Sequence, residues 1–234
     1  MTAEERTEEA TMKCPLGMKL VMGFLASSPI SGFPQQTGIE QAVPITVVVH
    51  DRANVKPETL AVAKQLANRV LNVAGFAVTW INIQDDLNKD GSGTNSEQTG
   101  FLRSGYLSVV ITSTAYPGSG LNEGGFAAVT AGPYRRAYVF LDRVEAFSEK
   151  VTNFRGEKIV GTVLGHVICH ELGHLLMPNT PHPLFGIMRG DWDSKQWQEA
   201  TQGLLLFSRG QAERMKSQIR DQCSASLARN KRAC

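Results

Sequence analysis

Residues 158–182 read KIVGTVLGHVICHELGHLLMPNTPH. The stretch from Lys158 to Met177 is almost continuously apolar, and Pro178 ends it, because the residue before a proline is pushed out of helical geometry. A single long helix is predicted there. On it His170 and His174 are four apart and project from one face, about one turn from each other, a separation that a single zinc ion can bridge. Glu171 stands between them, where it can take a proton from a water activated by the metal.

Upstream, Ile45 to His50 (ITVVVH) is β-branched and follows Pro44, which predicts a strand. A helix follows, with Pro57 in its first turn and Gly75 just past its end. Leu60, Ala63, Ala67, Val70, Leu71 and Ala74 lie on one face of it. Phe76 to Asn82 (FAVTWIN) alternates as a second strand, and strand, helix, strand in so short a span predicts a parallel βαβ unit. Residues 83–105 are polar and glycine-rich, a long surface loop. Three more strands are expected at Tyr106–Thr112, Phe126–Thr130 and Ala137–Leu141, and then the helix of the opening stretch.

Downstream, Asp193 or Ser194 can cap a helix running to Gln202, and Ser208 with Gln211 has the spacing of a capping box for a last helix whose buried face is Met215 and Ile219. The fold class is therefore α+β: a twisted mixed sheet of about five strands with a backing helix and the motif helix, then a helical C-terminal part. Residues 1–43 are expected to be a leader and 44–234 one domain, divided into an α/β part (44–177) and C-terminal helices (178–234).

The long form of the HExxH motif wants a glycine seven residues after the first histidine and a histidine ten after it. Those positions hold Met177 and Thr180, and the next histidine is His182. His182 is preferred as third ligand on reach and chemistry, since it lies eight residues past His174 after a helix stop and completes a neutral three-histidine set. Glu199 is its competitor, because some HExxH enzymes draw the third ligand from a glutamate on a following helix; Asp191 and Asp193 are weaker versions of that idea. His166 is one turn before His170, but ligands at i, i+4 and i+8 drift away from one ion, so it is assigned a supporting or structural role, as is His50 at a strand end.

Taken together, His170-Glu171-Leu172-Gly173-His174, His182 and Gly186-Ile187-Met188 resemble a divergent metzincin-type zinc peptidase, and the order of elements across residues 44–200 is similar to that family's. In the family a glycine lets the chain leave the helix in a left-handed turn. Here Pro178-Asn179 would make that exit later, with Asn179 as the left-handed residue and a connection two residues longer. The resemblance implies a zinc endopeptidase with His170, His174 and His182 as ligands and Glu171 as the catalytic base. It also implies Met188 as an apolar support beneath the site, and an edge strand between Phe126 and Leu141 that aligns an extended peptide. A zinc amidohydrolase of a non-protein substrate and a non-catalytic, zinc-stabilised binding protein are the alternatives.

With 42% hydrophobic and 20% charged residues in 234, the composition is that of a globular protein, and a formal charge of +2 gives no case for nucleic acid. The basic residues Arg209, Arg214, Lys216, Arg220, Arg229, Lys231 and Arg232 read as a solvated face. Lys13 and Lys19 before the apolar run Leu20–Leu25 make a candidate signal peptide, and no other apolar run is read as approaching the ~20 residues that span a bilayer. The expectation is a secreted or periplasmic monomer acting on a peptide or protein, with no membrane partner in its mature form. Cys169 is expected to be a buried thiol, Cys14 falls in the leader, and Cys223 and Cys234 are a candidate disulfide pair.

Overall fold

The computed structural model describes residues 41–83, 106–115, 124–129, 135–152 and 156–230, and Gln41–Cys234 form one compact unit. The strands are β1 (Val43–Asp51), β2 (Phe76–Ile83), β3 (Leu107–Thr112), β4 (Gly125–Val129) and β5 (Arg135–Phe140). The helices are α1 (Pro57–Val73), α2 (Leu141–Thr152), α3 (Glu157–Leu176), α4 (Ser194–Thr201) and α5 (Arg209–Asn230). This is the mixed α+β architecture expected, with a five-stranded sheet in the order β2-β1-β3-β5-β4.

β1 is parallel to β2 and β3, and β3 is parallel to β5, while β4 alone runs antiparallel, at the edge beside β5. β1 and β3 are nearly continuous runs of buried residues, the pattern common in parallel sheets. Val47, Val49, Val109, Ile111, Ala137 and Val139 join the core with the helices. Val48, Val110 and Phe140 are buried outside that cluster. On β4, Phe126 stacks on its cross-strand partner Tyr138 with centroids 4.7 Å apart.

The motif helix α3 is fixed against α1 by small residues. A Cβ on Gly161 would lie 2.6 Å from Thr59 O, and one on Gly165 would lie 2.6 Å from Ala63 O. One turn further, Cys169 Sγ sits 3.8 Å from Ala67 O. Gly161, Gly165 and Cys169 thus meet Thr59, Ala63 and Ala67, two i, i+4 rows in contact, and backbones this close leave no room for side chains between them. By length and composition α3 could cross a membrane, contrary to the reading that no run past the leader approaches that length, but 78% of its apolar window is buried inside the domain. A helix buried on nearly every side is apolar all round for that reason.

Leu141 does not end a strand; it starts α2, a helix absent from the expected order of elements, with no connecting residue after Phe140. Lys216 is not on a solvated face: it is 5% exposed, its Cδ lies 3.5 Å from where a Cβ on Gly75 would be, and its Nζ meets Glu213 Oε1 at 2.8 Å. A cation is thereby set at the C-terminal end of α1, where the helix dipole favours it. The capping box of α5 is formed, with Ser208 N–H donating to Gln211 Oε1 at 2.8 Å and Gln211 N–H to Ser208 Oγ at 3.3 Å. Residues 1–40 of the expected leader, the loop from 84 to 105, Cys14, Cys234 and the side chain of Cys223 lie outside the described residues, while Val43, expected in the leader, already belongs to β1.

Candidate metal centre

His170 and His174 come from adjacent turns of α3, and His182 comes from the segment that follows it. The chain leaves the helix at Met177, whose N–H still donates to Gly173 O at 2.8 Å, and it turns at Asn179 with φ +62°. Asn179 is the left-handed residue expected from the sequence, and this exit returns the chain so that His182 faces the helix. One ring nitrogen from each histidine lies within 4.8 Å of the others. His170 Nε2 and His174 Nε2 are 3.0 Å apart, as are His174 Nε2 and His182 Nε2.

The donor set fits zinc. Tetrahedral coordination with Zn–N of about 2.05 Å separates ligand nitrogens by about 3.3 Å, within the range these three span. His170 Nδ1–H donates to Ile187 O at 2.6 Å, so its Nε2 keeps the lone pair a metal needs. Burial, then the charge of His174, lowers the His170 pKa to about 3. Burial, then the charge of His182, lowers that of His174 to about 4. Both rings are therefore neutral near pH 7, the form that ligates. Glu199, the competing third ligand, is not in the cluster; its carboxylate lies 3.9 Å from Lys195 Nζ on α4. Asp193 caps α4, accepting from Lys195 N–H at 2.9 Å, and also meets Arg189 at 2.8 Å. Asp191 lines the cleft but lies outside the cluster.

Glu171 is 3% exposed. Its Oε1 lies 3.0 Å from the position a Cβ on Gly125 would take, so the carboxylate lies directly against the first residue of β4. Histidines, glutamate and the β4 residues Gly125–Ala127 all line one open cleft of about 590 Å³, with Trp192 and Trp197 among its other walls. Beneath the helix, a Cβ on Gly173 would collide with Met188 Sδ. Met188 therefore packs on α3 at Gly173, the residue before His174. His166 is fully buried with no hydrogen-bond partner at either ring nitrogen among the described residues, and burial followed by the charge of Arg69 lowers its pKa to about 3. His50 is buried within β1, opposite Ile83 and Val110.

The sequence singled out Gly186-Ile187-Met188, but not the parts that the Ile187 carbonyl and Trp192 play beside His170. Ile187 O accepts from His170 and, at 3.2 Å, from the indole N–H of Trp192, whose ring stands edge-on to the His170 imidazole with centroids 5.8 Å apart. A tryptophan four residues past Met188 was the available signal.

No family model matches the chain, and no curated protein matches it. Among solved structures it is similar to a zinc-dependent peptidase from Methanocorpusculum labreanum (strain Z), with a TM-score of 0.48 and 13% identity over 72% of this chain and 99% of that one. It is also similar to archaemetzincin from Methanopyrus kandleri, with a TM-score of 0.47 and 14% identity over 75% and 96%. Metalloproteinase-II from Bacteroides fragilis gives a TM-score of 0.46 and 13% identity over 81% of this chain and 56% of that protein. At TM-scores below 0.5 these likenesses add nothing to the chemistry read from the side chains.

Proposed function

We propose that this chain is a zinc-dependent endopeptidase, with His170, His174 and His182 as the metal ligands and Glu171 as the general base. The observation that carries the reading is one arrangement: three imidazole nitrogens within 4.8 Å of one another, in a cleft that also contains Glu171 and the edge strand β4. Zinc held there supplies a Lewis acid that acidifies water and polarises a carbonyl. Glu171, held against Gly125, accepts the proton of the attacking water and returns it to the departing amine. An edge strand presents unpaired backbone groups, so an extended peptide can pair with β4 as an added strand. That pairing favours a peptide over a small amide as substrate.

The test is a metal assay joined to a digest of a diverse peptide library, read by mass spectrometry. Wild type should hold close to one zinc per chain and cleave a subset of peptides, and Glu171→Gln should keep the zinc while losing about 10²–10⁴-fold in rate. A Glu171→Gln protein as active as wild type would overturn the mechanism. Full zinc occupancy in a wild type that cleaves nothing would replace it with the binding-protein reading.

A further inference from the structure

The three imidazoles are secured differently. His170 is buried and hydrogen-bonded through Nδ1, and His174 is carried by the same helix. His182 is exposed and lies outside any helix or strand, between Pro181 and Pro183. What it lies against is Gly190. A Cβ built on Gly190 would be 3.0 Å from His182 Cγ, 3.0 Å from Nδ1 and 3.4 Å from Cβ. Carbon contacts are optimal at about 3.5–4.0 Å, so the ring fills space that any other residue's side chain would occupy. The glycine is not required by its backbone, since Gly190 is not among the positive-φ glycines.

We propose that Gly190 is a positioning residue for the third ligand: its missing side chain is the seat of the His182 imidazole. The proposal rests on reading the three histidines as metal ligands. The turn that carries Gly190 is stiff. Arg189 N–H donates to Gly186 O at 3.1 Å, and the Arg189 guanidinium meets Asp193 at 2.8 Å and Gln196 Oε1 at 2.6 Å. Ile187, Met188 and Trp192 are buried. When a methyl group is added at Gly190, the exposed ring moves and the turn does not. Ile187 O, which orients His170, belongs to the same turn, so the first and third ligands take their positions from one frame, and displacing His182 leaves the other two where they are.

Zinc affinity measured by chelator competition reads this directly. Gly190→Ala should weaken binding by about 10–100-fold, the range seen when a group supporting a ligand is lost. Gly210→Ala, whose added Cβ would have nothing within 4 Å, should bind as wild type. Because Gly190 acts through His182, adding Gly190→Ala to His182→Ala should cost nothing further, and the visible spectrum of cobalt-loaded Gly190→Ala should shift toward that of His182→Ala. Wild-type affinity in Gly190→Ala, or losses that add in the double variant, would overturn the proposal. A metal-free arm separates it from the reading beneath it. A nuclear Overhauser contact between the Gly190 α-protons and the His182 ring should be present in the chelated wild-type protein, and its absence would refute the seat. A wild type that shows this contact but binds no zinc would remove the metal centre while leaving the seat in place.

Discussion

Replacing Gly173 by alanine should destabilise this protein, although the same change in an unencumbered helix stabilises it. Glycine in a helix interior is about 0.8–1.0 kcal/mol less favourable than alanine. Against that gain, the new methyl would collide with Met188 Sδ and lie 3.0 Å from both Met188 Cε and Phe207 Cε1. All three residues are buried, and overpacking a closed core costs about 1–3 kcal/mol. The net expectation is a loss of about 0–2 kcal/mol. Equilibrium urea unfolding resolves it, since with a slope of about 2 kcal/mol/M a change of 1 kcal/mol moves the midpoint by about 0.5 M. Gly210→Ala, in open space on α5, should move the midpoint upward. In a Met188→Ala background the obstacle is gone, so Gly173→Ala should become favourable there, a coupling that a double-mutant cycle isolates. A Gly173→Ala protein more stable than wild type, with Met188 in place, would refute the idea that this glycine exists to admit the methionine.

His182→Ala should abolish tight zinc binding while Glu199→Ala leaves it near wild type; equal losses, measured by chelator competition, would contradict the three-histidine set. His166 and His170 are both held at about 3, mainly by burial, against an ordinary value of 6.5. Below pH 6.5 the unfolded chain takes up protons that these folded rings refuse, so stability of the metal-free protein is full above about 6.5 and declines as pH falls toward 3. Unfolding midpoints across that window should show the decline, and His166→Leu, which removes one of the two buried rings, should flatten it. Ser208→Ala should cost about 0.5–2 kcal/mol in the same assay, as loss of a helix cap does.

The parts of this molecule legible from sequence are those whose causes are local. Pro57 and Gly75 bound α1, Ser208 and Gln211 open α5, and Asn179 takes the left-handed turn, because in each case the residue acts on its own backbone or on one within three positions. α2 escaped because nothing separates it from β5: Phe140 and Leu141 are both apolar, no glycine or proline stands between them, and the aspartate of the first turn, Asp142, comes only after the helix has begun. The antiparallel placement of β4 and the packing of Gly125 on Glu171 were not legible, being set by chain segments far apart in sequence. Gly190 is the sharper case. A glycine in a turn is ordinarily explained by its conformational freedom, and only the return of residues 179–182 toward it reveals that the space it leaves is what matters.

The close seam between α1 and α3 also makes the chain its own timer. Cys169 is wholly buried in that seam, and burial pushes its thiol pKa far up, so that almost no thiolate exists in the native state. A maleimide can reach it only in molecules whose two helices have parted. The rate at which the Cys169 peptide is modified, followed under native conditions, therefore counts how often the helix bearing His170 and His174 comes away from its support.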